Sequence, residues 1–435
     1  MKAVIIAGGK GTRLGLTDVP KPMARIGDRT LLEHQFELLR RYGLKDVYIL
    51  SGHLADAIFD RFHDGSDYGL RVTHLVEPRA LGTAGSIGLL KHLLHERFLV
   101  LYGDVLLDMD LERLIAFDRR EESVATLVVH PNNHPVDSDL VEVDEDGFIV
   151  AFHSKPRPPD VYYHNLVNAG VYILSPEIFS HIDCGPSLDF GRDVLPELLR
   201  KGQRLRGYRT AEYLSDMGTP ERLRLVTRDF LSGRVARLNR CHKRPAIFLD
   251  RDGVLIRDVD NLSRSEDVQL LPGVGEAVAR INASDYLAVV ATNQPMIAKG
   301  FLTTEGLRGI HKKLETLLGR EHAFVDALYY CPHHPDSGFP GEVRELKGPC
   351  LCRKPSPGML LKAAEDWNID LARSWMIGDR ESDQLAGKRA GCTSVHLCAE
   401  GTASRWADHS AASLLESVNG ILGGAFRPQL EREAA

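Results

Sequence analysis

Apolar and polar positions divide the chain into two successive runs of strand and helix. In the first run, apolar stretches over 2–7, 46–50, 71–76 and 98–102 read as buried strands. Amphipathic spacing over 31–42, 54–62 and from Leu81 to about residue 94 reads as helix. This βαβα order argues for a parallel sheet. After Ser123 the pattern is richer in strands, at 124–130, 148–152 and 170–174, with helices expected over 188–199 and 220–230. In the second run, strands are expected over 245–249, 286–291, 325–330, 374–377 and 395–397. Helices are expected over 273–282, 303–318, 357–367 and 383–390. The segment 331–354 is irregular, and one helix, over 411–422, is expected in the tail after Ala399. The pattern predicts an α/β protein of two doubly wound domains, over 1–232 and 245–435, with a basic linker over 233–244.

At 435 residues the chain is too long for one ordinary core, which agrees with two domains. The composition, 43% apolar and 26% charged, is globular rather than disordered. A net charge of −6 gives no reason to expect nucleic acid or an anionic membrane as partner. The linker carries Arg234, Arg237, Arg240, Lys243 and Arg244, but against that negative total the run reads as a solvated joint. No apolar run approaches the roughly 18 residues of a membrane span. The first residues pass from an apolar strand straight into a glycine loop, without the pattern of a signal peptide, so a cytoplasmic protein is expected. Of seven cysteines, three fall between Cys331 and Cys352, which in that compartment suggests metal rather than disulfides.

At the end of the apolar run 245–249 stand Asp250, Arg251, Asp252 and Gly253. Open α/β sheets bind ligands at the carboxyl ends of their strands. Two carboxylates a few ångströms apart raise each other's pKa unless a cation such as Mg²⁺ joins them. An acidic turn is the plain alternative for Asp-x-Asp alone. The longer Phe-Leu-Asp-Arg-Asp-Gly-Val-Leu resembles the first motif of the haloacid-dehalogenase-like phosphohydrolases. That resemblance implies an aspartyl-phosphate mechanism. Asp250 is the nucleophile. Asp252 is the acid for the leaving oxygen and then the base for water. Thr292 and Lys354 stabilise the phosphoryl oxygens. The resemblance also implies Mg²⁺ on Asp250, Asp379 and the Asp252 backbone carbonyl, with Asp383 a weaker candidate that orients its neighbours. Asp252, where the superfamily's transport ATPases have Thr, favours a phosphatase.

In the first half, Ala7-Gly8-Gly9-x-Gly11-Thr12-Arg13-Leu14 is followed by Pro20-Lys21-Pro22. The loop is neither a Walker phosphate loop nor Gly-x-Gly-x-x-Gly. Its glycines still let backbone N–H groups approach an anion. Leu81-Gly82-Thr83-Ala84-Gly85, Gly103-Asp104, Lys155-Pro156, Asn168-Ala169-Gly170, Asp189-Phe190 and Asp216-Met217-Gly218-Thr219-Pro220 come next in order. Together these resemble the sugar-phosphate nucleotidyltransferases over nearly all of residues 1–230. In that chemistry a sugar 1-phosphate oxygen attacks the α-phosphorus of a nucleoside triphosphate, and catalysis is positioning plus neutralisation of phosphate charge. Gly8, Gly9, Gly11 and Thr12 would cradle the triphosphate. Arg13 suits its pyrophosphate end, and Lys21 suits the space between the two phosphates. The resemblance implies Mg²⁺ on Asp104 and Asp216, the base beside Gly82, the sugar phosphate on Lys155, and substrate contacts at Asn168 and Gly170. Ser154 stands where the family often has Glu, which favours a sugar other than glucose. His153 reads as a surface residue.

Cys331-Pro332-His333 and Cys350-Leu351-Cys352 offer three thiolates and an imidazole, a set that fits a closed Zn²⁺ site. His334 is the alternative nitrogen ligand, and three buried cysteines with a surface histidine are the plain reading. Cys392 and Cys398 read as core. With Arg353-Lys354-Pro355 following, the arrangement resembles the zinc-containing subgroup of heptose-bisphosphate and histidinol phosphatases. This implies substrate contacts at Asp258, Asn261, Asn293, Gln294, Arg353 and Arg380. The expected whole is a Rossmann-like nucleotidyltransferase sheet joined to a haloacid-dehalogenase-like sheet with a zinc loop, acting on sugar phosphates and a nucleoside triphosphate, GTP favoured. The two resemblances together imply a bifunctional enzyme of nucleotide-activated heptose synthesis. The same two activities on a hexose or amino sugar, a histidinol-phosphate-type phosphatase fused to a hexose-1-phosphate transferase, and a sugar-nucleotide sensor with degenerate sites are the alternatives.

Overall fold

The computed structural model describes residues 1–9, 14, 18–182, 187–398, 402 and 404–428. The chain forms two compact units. One holds Met1–His130, Asp139–Ser154 and Leu166–Asn239. The other holds Pro131–Ser138, Lys155–Asn165 and Arg240–Ala435.

In the first unit, Lys2–Ala7 is the centre of a nine-stranded sheet. It pairs in parallel with Asp46–Ser51 on one side and Phe98–Tyr102 on the other. Arg71–Val76 continues the parallel part, while Val167–Leu174 runs antiparallel to Phe98–Tyr102. The chain therefore changes winding direction at Lys2–Ala7, and Gly8 and Gly9 follow its carboxyl end, the place where such sheets bind ligands. The helix Leu31–Arg41 covers one face. It starts with a Thr30–Glu33 capping box and buries Leu32, Phe36 and Leu39. Among the described residues, four strands of four residues or more escape the apolar pattern: Val105–Asp108, Leu140–Val143, Leu205–Arg209 and Tyr213–Asp216. The first and last pair with each other as a separate antiparallel ribbon. The helix expected over 81–94 is shorter, Gly82–Ile87 followed by a 3₁₀ turn. Over 188–199 a π-helical turn, Phe190–Val194, precedes the helix Leu195–Arg200. In the basic stretch 233–244, Arg234–Arg237 is a helical turn. Val235 and Leu238 are buried with Ile26, Leu106 and Val226, which ties it to this unit's core.

The second unit has a fully parallel six-stranded sheet. Its order is Ala327–Cys331, Leu287–Asn293, Ala246–Leu249, Trp375–Gly378, Thr393–Leu397 and His409–Ala411. The last strand is one more than the pattern predicts, because three residues with a single buried position carry too little periodicity. The tail helix begins at Leu414, capped by Ser413. Ala246–Leu249 is buried throughout, as a central parallel strand should be.

The same unit takes in two segments from the first half of the sequence. Along the helix Thr304–Arg320, Glu315 accepts from Asn165 N at 2.7 Å and lies 2.9 Å from His164 Nδ1. Thr316 Oγ1 accepts from Tyr163 N at 3.0 Å, and Lys313 Nζ donates to Tyr162 OH at 2.7 Å. Asn165 Nδ2 in turn donates to Asn132 O, and Arg157 donates to Ser138 O, which joins the two segments.

Candidate active sites

In the first unit, Gly103 N donates to Ile6 O at 2.9 Å, which sets the turn after Phe98–Tyr102 against the end of Lys2–Ala7. Gln35 Nε2 reaches across from its helix to both Tyr102 O and Val105 O, each at 2.9 Å, and holds that turn from below. Asp104, at its tip, receives Lys21 Nζ at 3.0 Å. The register of the antiparallel ribbon places Asp216 opposite Val105, and Met217 N donates to Asp104 O at 2.9 Å. Asp104 and Asp216, far apart in sequence, are thus brought together through their backbones. Asp216 is paired with Arg222 Nη1 at 2.6 and 2.7 Å, a partner that no motif indicated. Each carboxylate is paired with a basic side chain, Asp104 with Lys21 and Asp216 with Arg222.

Gly82 has φ +76°, and a Cβ there would strike Leu188 O, so the residue type follows from the backbone. Thr83 Oγ1 donates to Asp189 Oδ2 at 2.9 Å and links the two motifs. Asn168 Nδ2 donates to Tyr172 OH, and its Oδ1 accepts from Gly170 N, which lies against the Tyr102 ring. Glu77 escaped the sequence reading. It stands beside Gly8, accepts from Leu81 N at 3.1 Å, and is pushed above the usual carboxylate range by burial. Lys155 belongs to the second unit, where its Nζ donates to Asp137 O. His153 lies 3.1 Å from Glu142 Oε2. Gly11, Thr12 and Arg13 lie outside the described residues.

In the second unit, the carboxyl ends of three neighbouring strands converge. Ala246–Leu249 delivers Asp250, Leu287–Asn293 delivers Thr292, and Trp375–Gly378 delivers Asp379. Lys354, only 3% exposed, reaches Asp250 Oδ1 at 2.9 Å, Asp383 Oδ1 at 2.7 Å and Ala291 O at 2.7 Å. Burial works against its charge, but the two carboxylates outweigh that and raise its pKa. Asp250, Asp379 and Asp383 offer oxygens all within 4.8 Å of one another. Asp379 is pushed up by burial and then by Asp250. Asp383 is pushed up to about 6 by burial, although Lys354 pulls it down. Three carboxylates against one ammonium leave negative charge in excess, and Asp379 Oδ1 is buried without a hydrogen-bond partner. The residues fit a Mg²⁺ ion. The geometry gives Asp383 a larger part than its motif suggested. The Asp252 side chain is not in that cluster; Arg251 and Gln294 hold it, Gln294 Nε2 at 2.8 Å. Gly253, at φ +78°, leaves room for Asp379, since a Cβ would strike that carboxylate.

Of the expected substrate contacts, Asp258 and Arg380 pair with each other at 2.8 Å. Asn261 holds a left-handed backbone, φ +57°. Arg353 Nη1 donates to His333 O. Gln294 Nε2 also donates to Thr292 Oγ1 at 2.9 Å. The side chain of Asn293 is committed to the backbone of Lys354.

Cys331, His333, Cys350 and Cys352 form one cluster. Cys352 Sγ is 3.2 Å from Cys331 Sγ, 3.3 Å from His333 Nδ1 and 3.4 Å from Cys350 Sγ; Cys331 is 3.6 Å from each of the other two. Such spacings match the edges of a tetrahedron with bonds of about 2.0–2.3 Å, the lengths zinc takes to nitrogen and sulfur. The four fit Zn²⁺, with His333 rather than His334 as the nitrogen donor. His334 Nδ1 instead accepts from Asp336 N. Cys392 is buried, as read, and Cys398 is half-buried.

The comparisons with known proteins divide along the same line. The nucleotidyl transferase family matches residues 2–233, and the HAD-hydrolase-like family matches 351–418. The D-glycero-D-manno-heptose-1,7-bisphosphate 7-phosphatase of Thermosynechococcus vestitus is 40% identical over 155 residues, 35% of this chain and 78% of the relative. The UTP–glucose-1-phosphate uridylyltransferase of Synechocystis is 32% identical over 218 residues, 46% of this chain; the match spans only 56% of that relative's length. Among solved structures, HddC from Yersinia pseudotuberculosis complexed with GMP-PN is 26% identical, with a TM-score of 0.45 over 53% of this chain and 99% of that one. No helix among the described residues is long and apolar enough to cross a membrane. The chain belongs to the nucleotidyl transferase family through its first half and to the haloacid-dehalogenase-like phosphatases through its second, two enzymes on one polypeptide.

Proposed function

We propose that the protein removes the 7-phosphate of D-glycero-D-manno-heptose 1,7-bisphosphate and couples the remaining heptose 1-phosphate to a nucleotide, GMP from GTP being favoured. The carrying observation is the convergence of Asp250, Thr292, Lys354 and Asp379 at three strand ends, in a chain of which 155 residues are 40% identical to a 7-phosphatase. In the phosphatase, a carboxylate oxygen of Asp250 attacks phosphorus, and the bond from phosphorus to the sugar oxygen breaks. Asp252 gives that oxygen its proton. Asp252 then takes a proton from water as the water attacks the aspartyl-phosphate, releasing inorganic phosphate and restoring Asp250. Thr292 and Lys354 hold the phosphoryl oxygens. Mg²⁺ on the Asp250, Asp379 and Asp383 cluster would neutralise phosphate charge there.

In the transferase, a phosphate oxygen of the sugar 1-phosphate attacks the α-phosphorus of the triphosphate. The bond to the β-phosphate bridge breaks, and pyrophosphate leaves. Lys21 neutralises charge where the phosphates crowd, and Asp104 with Asp216 would hold Mg²⁺ for the same end. We assign the sugar phosphate to Lys155 by its motif. The two activities act in sequence only if the phosphatase spares the anomeric phosphate, a condition that a 1,7-bisphosphate meets and histidinol phosphate does not. We place the protein in the cytoplasm, where the triphosphate is made.

Heptose 1,7-bisphosphate, GTP and Mg²⁺ with the purified protein should give GDP-heptose, phosphate and pyrophosphate in one vessel. Faster turnover of histidinol phosphate, or coupling of hexose 1-phosphates alone, refutes the heptose assignment. Ser154 in place of the usual Glu is compatible with an acceptor other than glucose, and a panel of the four nucleoside triphosphates decides the base.

A further inference from the structure

Arg251 lies between the two aspartates of its motif and is 1% exposed. It is not a surface counterion. Its N–H donates to Asp250 Oδ1 at 2.8 Å. Its Nη2 donates to both oxygens of Asp252, at 3.0 and 2.9 Å, and to Gln294 Oε1 at 2.9 Å. Its Nε lies 3.2 Å from Asp252 Oδ1. The remaining nitrogen, Nη1, is 3.3 Å from Nε2 of His311.

His311 sits on the helix Thr304–Arg320, 5% exposed, with its ring beside Tyr330. A guanidinium only donates, so Nε2 must accept and the ring proton must be on Nδ1. A neutral histidine thus receives the far end of an arginine whose near end grips Asp252 on both oxygens. Such a fork fixes a carboxyl in rotation as well as in place.

We propose that His311 is a positioning residue of the phosphatase reaction: it fixes Arg251, and Arg251 fixes the carboxyl of Asp252 against the leaving oxygen. The proposal rests on Asp252 being the general acid. His311 touches neither substrate nor metal ligand and acts only through the arginine. A buried histidine that merely fills space would affect stability but not the response to the leaving group.

The chemistry supplies a test that separates the two. In aspartyl-phosphate formation, a sugar alkoxide needs the proton of Asp252 as it departs, whereas p-nitrophenolate departs without one. The ratio kcat/KM reports the steps up to that intermediate. In the full-length protein with Mg²⁺, His311→Phe keeps a ring beside Tyr330 and removes the acceptor. It should lower kcat/KM for a sugar phosphate by on the order of tenfold, a fraction of what general acid catalysis supplies. It should leave p-nitrophenyl phosphate within about twofold of wild type. His311→Gln, whose amide oxygen can accept from Arg251, should recover most of the loss. His311→Leu is measured in place of the phenylalanine variant if that protein does not fold, with the transferase activity reporting on folding. Equal losses on both substrates, or no loss on either, overturn the proposal. Asp252→Asn is the control for the underlying reading. If it shows no dependence on the leaving group, the assignment of Asp252 as acid fails. If it shows that dependence and the His311 variants do not, the acid stands and the positioning role of His311 falls.

Discussion

Asn293 and Lys354 hold each other through two hydrogen bonds of 3.0 Å, from Lys354 N to Asn293 Oδ1 and from Asn293 Nδ2 to Lys354 O. The pairing fastens the end of an irregular loop to the end of the strand Leu287–Asn293. From there the lysine side chain turns inward to Asp250 and Asp383. Asn293→Ala should therefore lower phosphatase kcat, since a displacement of about 1 Å can cost on the order of 100-fold. Pyrophosphate release by the transferase should be unchanged. Unaltered phosphatase kinetics would show that the loop holds Lys354 without this clamp.

The same loop carries Cys350 and Cys352, and Cys352 is two positions from Lys354. A structural zinc contributes on the order of 10 kcal/mol to folding of such a site. Chelation that removes zinc, verified by metal analysis with Mg²⁺ restored, should abolish phosphate release and leave the transferase active. Full phosphatase activity in the stripped protein would sever the loop's order from Lys354.

Each unit gathers its own carboxylates, Asp104 with Asp216 in one and Asp250 with Asp379 and Asp383 in the other. Asp250→Asn should reduce phosphate release by about 1,000-fold or more, as loss of a nucleophile does, and leave pyrophosphate release within a few-fold. Asp104→Ala should do the reverse. Loss of both activities in either variant, with native circular dichroism, would contradict two separate chemistries.

Burial, and then the charge of Arg251, hold the His311 imidazole well below its ordinary 6.5. Both folded and unfolded chains carry it neutral above that pH, so it contributes nothing there. Below about 6.5 the unfolded chain takes a proton that the folded chain refuses, and stability falls as pH drops. Its largest share of the slope is about 1.4 kcal/mol per pH unit. His311→Phe should lose less stability than wild type between pH 6.5 and 5.5, measured as the shift in urea midpoint. Equal shifts in the two proteins would show that His311 protonates without opening the fold.

Much of the chemistry could be read from residue order alone. Glycine loops and Asp-x-Asp after an apolar run are local: a buried strand needs a continuous apolar stretch, and the residue after its carboxyl end faces the crevice. Asp250, Thr292 and Asp379 were legible for that reason. The Cys331, His333, Cys350 and Cys352 cluster, which fits Zn²⁺, was legible because thiolates crowded into one loop have few other uses. What the sequence could not show depends on register and rotamer. Asp216 meets Asp104 through a short antiparallel ribbon whose strands have too few residues for periodicity to mark them. Asp383, rather than the side chain of Asp252, joins the carboxylate cluster because Arg251 and Gln294 turn Asp252 aside. Residues 131–138 and 155–165 lie with the second unit because Glu315 and Thr316, some 150 positions away, satisfy the backbone N–H groups of Asn165 and Tyr163. Hydrogen bonds over such separations leave no spacing in the sequence, since each partner's position is set by the strands and helices that carry it. The sequence by itself determined which chemical groups are present and at which strand ends; the tertiary structure decided which of them face one another.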